Sequence, residues 1–512
     1  MNRPRRPPRH GRPVHVVIVG AGISGLGLGM ALKRAGHHHF TILERADDIG
    51  GVWRDNTYPG AACDIPAPLY SYSFAPHTWS QRYAGQQEIL EYLRGCADDH
   101  GLHDHLRLGT EVREARFDEH TRRWHLRTQN GDTYEADVLV PACGQLSRPS
   151  SPHLPGTERF TGRIFHSARW DHGLDLTGRR VAVIGTGASA LQIVPQVAKQ
   201  AAHLTVFQRS APYVVPRWQR TYRPTSGPLA WIGAKAARLG WWLFNELTVP
   251  GLTRRWRTRG FTAFGCAAQL RRQVHDPALR ERLTPRDEVG CKRIGISSDY
   301  YPAFNEPHVE LVTDPVAELT DKAIRTETGS EHPVDVIIQA TGFSATEFLA
   351  SLHVTGREGR TLADHWRGGA RAYLGMTVPG FPNMFVLYGP HTNVGAGSVV
   401  YMVESQIRYV LDALRVIGRG TRPLLDVRAD AEDTFTKEMR HRLGTTVWSA
   451  CRNWYRGKNG FVTTNWPGQT AEYRRRTRRV NLAHYEPRGP ADHPHTPRTP
   501  THPHAPRTPT RS

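Results

Sequence analysis

An α/β fold built from two similar units, with a mostly helical insertion between them, is what the sequence predicts. Three observations carry the prediction. The apolar run Val14–Val19 flows into Gly20, Gly22 and Gly25 at GxGxxG spacing, and a helical stretch follows. The run Val181–Ile184 does the same into Gly185, Gly187 and Ala190. Between residues 225 and 290 the glycine turns give way to long stretches of helix-forming and aromatic residues. A strand, a glycine turn and a helix in that order place backbone N–H groups where a pyrophosphate binds, so each unit reads as a Rossmann-like dinucleotide-binding domain. The 512 residues suit two or three domains.

In the first unit Gly20 permits the tight turn, Gly22 lets the backbone approach a pyrophosphate, and Gly25 allows close helix–strand packing. Ser24 stands in the first turn of the helix. Glu44 follows Gly20 by 24 positions, at the end of the next strand, where a carboxylate accepts from ribose hydroxyls. Residues 50–74, rich in Gly, Pro and aromatics, read as a long irregular loop, and such loops are usually functional. Gln86–His100 reads as a helix, Leu106–Thr128 as a strand meander and Asp137–Gly144 as a buried strand.

In the second unit the helix after Gly187 carries Ala188, Ser189, Ala190 and Gln192 toward the same kind of ligand. Arg209 stands 24 positions after Gly185, where the first unit has Glu44, with Ser210 beside it. An Arg there removes the ribose-binding carboxylate and offers a fork of donors to a 2′-phosphate. The first unit therefore reads as a site for a nucleotide with a free 2′-hydroxyl and the second as a site for NADPH. The segment Asp335–Gly342 (DVIIQATG) echoes Asp137–Gly144 (DVLVPACG), which suggests that the first domain resumes there. The domains expected are 14–150 with 335–486, 151–224 with 291–334, and the insertion 225–290, between an arm (1–13) and a low-complexity tail (487–512) expected to be disordered. The apolar run within the insertion reads as a lid over substrate or as helical core, with docking on a membrane surface as the alternative.

The formal net charge is +20, and arginines of the arm, of residues 474–479 and of the tail supply more than half of it. That distribution disfavours nucleic-acid binding as the main role and suits a basic protein handling an anionic cofactor. Six scattered cysteines with no CxxC pair read as free thiols in a reducing compartment, and the pattern disfavours a zinc site and a redox-active disulfide. No secretory signal or membrane span is evident, so a soluble cytoplasmic protein is expected.

Between the units lies Phe160–Asp171 (FTGRIFHSARWD). Phe160, Gly162, His166, Trp170 and Asp171 match the fingerprint FxGxxxHxxxW(P/D) of the Baeyer–Villiger flavin monooxygenases. Gly51, Trp53, Tyr58, Pro59, Gly60 and Asp64 match that family's GxWxxxxYPGxxxD pattern. The chain resembles the cyclohexanone, phenylacetone and hydroxyacetophenone type over roughly residues 14–480. The resemblance implies FAD in the first unit and NADPH in the second. It also implies O2 addition to the reduced flavin, and attack of the resulting C4a-peroxyflavin on a ketone to give an ester or lactone. Arg293 aligns with the family's active-site Arg, Asp64 with the acid that orients it, and Lys292 with a second phosphate-recognising cation beside Arg209. Trp53 and Tyr70 are expected around the flavin, with core packing as the alternative. His166 is expected to affect cofactor handling and domain movement and not to touch substrate. N- or S-oxygenation by the same flavin chemistry is the alternative activity, and a flavin-binding regulatory or nucleic-acid-associated protein without activity is a third reading.

Overall fold

The computed structural model describes residues 13–223, 227–253, 258–420, 423–457 and 459–487. The expected disorder of the arm and of the tail concerns residues that lie almost wholly outside these.

Two parallel sheets organise the chain. The first runs Leu106–Arg107, Phe40–Leu43, Val16–Val19, Val138–Pro141 in spatial order, with Val16 opposite both Phe40 and Val138. The second runs Val309–Val312, His203–Phe207, Arg180–Ile184, Val336–Gln339, Arg163–His166. Central strands such as Val16–Val19 and Val138–Pro141 are buried throughout, as parallel strands covered on both faces must be. One face of the first sheet packs on the helices Ile23–Arg34 and Val399–Gly418, the latter capped by Ser398, whose Oγ accepts from Val400 N at 3.1 Å. The other face packs on a mixed sheet, in which Val112–Asp118, Arg123–Thr128 and Thr133–Ala136 run antiparallel and His353–Thr355 pairs parallel with the first of them.

The first correction concerns residue 335. Val336–Gln339 belongs to the second sheet, between Arg180–Ile184 and Arg163–His166. The echo of residues 137–144 is real, but it marks the equivalent strand of each unit and not two strands of one. His15 N donates to Asp137 Oδ2 at 2.8 Å, and Arg180 N donates to Asp335 Oδ2 at 2.9 Å. The glycine turns are equivalent too: Gly20 and Gly185 both have positive φ, +108° and +114°, against the backbone of Ala142 and Ala340. The chain rejoins the first unit only beyond Gly342, through the pairing of His353–Thr355 with Val112–Asp118 and a bridge between Leu139 and Met384.

The second correction concerns the cysteines. Cys291 and Cys451, 160 positions apart, form a disulfide, while Cys63, Cys96, Cys143 and Cys266 are free. Spacing along the chain could not reveal a pair that the fold brings together, and the inference from free thiols to a reducing compartment falls with it.

The insertion is helical: Pro228–Thr253, Thr258–Gln273 and Pro277–Arg282. Its base joins the second unit through the short parallel pair Val214–Val215 and Gly295–Ile296. The first helix docks on the first unit, with Trp242 Nε1 donating to Thr470 Oγ1 at 3.1 Å and Thr470 N donating to Glu246 at 2.9 Å. No described helix is long and apolar enough to cross a membrane.

Candidate active site

The first glycine turn forms a cradle. Gly22 caps the helix bearing Ser24 and Gly25, and a methyl on Gly25 would collide with the Gly20 carbonyl. Glu44 is buried and accepts from Ala21 N at 2.8 Å, Ala46 N at 3.1 Å and Arg54 Nη1 at 3.1 Å. A cleft of ≈600 Å³ adjoins it, lined among others by Arg45, Arg54, Gly144, Gln145 and Phe343. Gln145 Oε1 in that lining is buried and has no hydrogen-bond partner among the described residues. An unpaired buried acceptor beside a glycine cradle and two guanidinium groups is what a bound dinucleotide would complete, so these residues fit FAD.

In the second unit Gly187 caps the helix Ala188–Val197, leaving its first N–H groups facing outward beside Ser189, with Ala190 buried beneath. Lys292 Nζ donates to Ser210 Oγ at 2.7 Å and pairs with Asp287 at 2.6 Å, so the chain brings Lys292 to the strand end bearing Arg209. Arg209 is exposed. Two cations and a hydroxyl at one strand end suit a phosphate monoester. Gln192 departs from the expectation. Its Oε1 accepts from Tyr58 OH at 3.0 Å and its Nε2 donates to Ala62 O at 2.9 Å, so its amide clasps the aromatic loop of the first unit.

Arg293 and Asp64 meet. Nε donates to Oδ2 at 2.6 Å and Nη2 to Oδ1 at 2.7 Å, with each side chain about a quarter exposed. Burial pushes the Asp64 carboxyl up, but the charge of Arg293 and its hydrogen bonds outweigh burial and hold it below the usual carboxylate range. The charge of Asp64 in turn holds Arg293 protonated against its own burial. Tyr388 and Tyr455 lie close enough for their phenols to feel that guanidinium; burial raises both, Tyr455 to about 12. Tyr388 OH donates to Asn393 Oδ1 at 2.8 Å, and Asn393 Nδ2 donates to Asn465 Oδ1 at 2.7 Å. The sequence singles out none of these four as an individual site residue, although Tyr388 lies in a Gly/Pro-flanked run and its positive φ of +57° marks a constrained turn. Trp53 and Tyr70 are in contact, indole Nε1 donating to the phenol at 3.1 Å with the rings edge to face.

The linker forms the edge strand of the second sheet. Gly162 leaves no room for a side chain between the Asp335 carbonyl and the ring of Phe160, Trp170 packs edge-on against Phe165, and Asp171 pairs with Arg163 at 2.6 Å. His166 Nδ1 accepts from Ala168 N and Nε2 donates to Gly342 O, each at 3.0 Å. Burial lowers its pKa, so the ring is neutral, with both nitrogens committed to backbone.

Residues 17–224 match the family described as pyridine nucleotide-disulphide oxidoreductase. A Baeyer–Villiger monooxygenase of Streptomyces coelicolor is 43% identical over 485 residues, covering 93% of each chain. The chain belongs to the Baeyer–Villiger monooxygenases. Within reach of this family lies a phenazine N-monooxygenase of Lysobacter antibioticus, 32% identical over 92% of this chain and 96% of its own. Among solved structures, an oxidised steroid monooxygenase bound to NADP superposes with a TM-score of 0.82 at 34% identity, covering 91% of this chain and 97% of its own. The monooxygenase OTEMO, complexed with FAD and NADP, superposes with a TM-score of 0.81 at 27% identity over the same shares. The fold is therefore the two-dinucleotide architecture of this family, and the enzyme is an FAD- and NADPH-dependent oxidoreductase.

Proposed function

We propose that this Baeyer–Villiger monooxygenase converts a ketone, O2, NADPH and a proton into an ester or lactone, NADP+ and water, with Arg293 as the cation at the reacting atoms. FAD, when bound, accepts hydride from NADPH and delivers one oxygen atom of O2. Gly20, Gly22, Ser24, Gly25 and Glu44 hold its nucleotide, and Trp53 and Tyr70 wall its ring. Gly185, Gly187, Ala188, Ser189 and Ala190 cradle the NADPH pyrophosphate, while Arg209, Ser210 and Lys292 take its 2′-phosphate.

The observation that carries the reading is the bidentate Arg293–Asp64 pair. Inserting oxygen beside a carbonyl puts negative charge on oxygen atoms, and a fixed guanidinium that cannot lose its proton stabilises that charge in a water-poor site. Asp64 is the positioning residue: it spends two charge-assisted bonds, on Nε and Nη2, on orienting Arg293, and Nη1 lies outside the pair. His166 takes no part in proton transfer. The reading goes with a cytoplasmic enzyme, where NADPH is regenerated.

Arg293→Ala is expected to retain flavin reduction by NADPH and to lose ester formation. Ketone oxygenation near the native rate would refute the assignment. N-oxygenation is the second reading, favoured by the phenazine N-monooxygenase among the relatives. Product masses from a ketone and an aromatic N-heterocycle offered together decide between them.

A further inference from the structure

The helix Pro228–Thr253 is built inside out. Two of its charged side chains face the protein: Arg238 donates to Leu69 O at 3.1 Å, to Ser71 O and to the buried Glu404, and Glu246 is buried against Thr470. The opposite face carries Ile232, Ala236, Leu239, Leu243, Phe244 and Leu247, all exposed, with Leu247 79% exposed. Spacings of three and four put these on one stripe along a helix about 39 Å long at 1.5 Å per residue. The helix packed beside it extends the patch with Phe261 and Phe264, 81% and 71% exposed, while its Cys266 and Leu270 point inward. Apolar patches of this extent on a folded protein mark a surface that something covers. The expectation of plain helical core fails for these residues, which are exposed, Phe244 with its ring edge-on to Trp241 of the same helix.

Charge selects the occupant. Between Asp175 and Asp276 the sequence holds one acidic residue, Glu246, and that one is buried. Of the cations in the same stretch, Arg220, Arg223 and Lys235 are exposed. Lys235 stands at the edge of the stripe with its ammonium 3.5 Å above the Trp231 ring. A second copy would bring the same cations against these, in a chain already at +20. Anionic lipid headgroups suit Lys235 and a stretch whose one carboxylate is buried, and acyl chains take the leucine and phenylalanine side chains.

We propose that the outward face of Pro228–Thr253 and Thr258–Gln273 rests on an anionic bilayer, lying in the interface without crossing it. Arg238 ties the back of that face to Leu69 and Ser71, the neighbours of Tyr70, so docking sets the aromatic loop of the first unit beside a reservoir of apolar ketones.

The test uses the full chain and vesicles of phosphatidylcholine with or without phosphatidylglycerol, in a sedimentation assay. The native protein is expected to pellet with the anionic vesicles. The triple variant Leu243→Glu, Leu247→Glu, Phe264→Glu should bind them about tenfold more weakly or worse, with unchanged melting and unchanged turnover of a water-soluble ketone. These side chains are exposed, so their replacement should not unfold the chain. Failure of the native protein to bind overturns the proposal. So does undiminished binding by the triple variant, which would assign the attraction to the arginine-rich termini. A native dimer in velocity sedimentation that the variant dissolves, without vesicle binding, would assign the face to a second copy.

Discussion

Asp64→Asn separates positioning from chemistry at the proposed site. The substitution keeps side-chain shape and removes one charge from a pair whose two bonds measure 2.6 and 2.7 Å. Breaking a fully buried ion pair by removing one partner costs about 3–5 kcal/mol, much of it the desolvated charge left behind. Both groups keep about a quarter of their exposure. The asparagine oxygen still accepts one bond, so about 2 kcal/mol is the appropriate scale. If that energy is spent holding Arg293 at the reacting oxygen, the ester-forming step slows about 30-fold. The assay pairs stopped-flow bleaching of the flavin by NADPH with steady-state ester formation. Reduction should be unaffected and ester formation should fall. Native rates of ester formation would refute a positioning role for Asp64, and an equal fall in both rates would place the pair in the fold or in NADPH binding. The pH dependence has a defined sign. Because the folded carboxyl is held below its unfolded value of about 3.9, its stabilisation is complete above that value and is lost as pH falls through the folded one. The stability gap between native enzyme and variant should therefore be flat near neutrality and close only in acid.

Arg209→Ala should raise the KM for NADPH far more than that for NADH, and equal effects on the two would remove the 2′-phosphate argument. His391, buried with its Nδ1 unpartnered among the described residues, is pushed down to about 4 by burial first and by Arg440 second. A buried neutral histidine loses stability as the unfolded chain takes up its proton, from about pH 6.5 down to the folded value, by roughly 3 kcal/mol in all. His391→Asn, which tolerates the positive φ of +59° there, should flatten denaturant midpoints between those limits, and an unchanged slope would show that other groups carry the acid sensitivity. Thiol titration of the denatured, unreduced chain should count the four free cysteines Cys63, Cys96, Cys143 and Cys266. Six reactive thiols would show that Cys291 and Cys451 are not bonded.

The parts of this enzyme that were legible in the sequence are those whose physics is local. Each glycine turn announces itself because strand, turn and helix are contiguous, and Glu44 and Arg209 follow at a distance set by one helix and one strand. Arg293 and Asp64, 229 positions apart, became a pair on paper only through the resemblance, not through any local pattern. Val336–Gln339 was assigned to the wrong sheet because a buried parallel strand reads the same whichever sheet receives it. The insertion was legible as an apolar, helix-forming run, but such a run does not say which of its side chains turn outward. Tyr388 and Tyr455 stayed hidden because a lone tyrosine in a loop carries no signal until the guanidinium is placed beside it.

The disulfide gives the position of Arg293 a further meaning. By chain continuity residues 291–293 belong to the second unit, adjoining the strand Gly295–Ile296 that pairs with Val214–Val215. By bonding they belong to the first: Cys451 holds one end covalently, and Asp64 grips Arg293 two positions on. The cation of the proposed site is therefore anchored from outside its own unit, by one covalent bond and one ion pair within three residues.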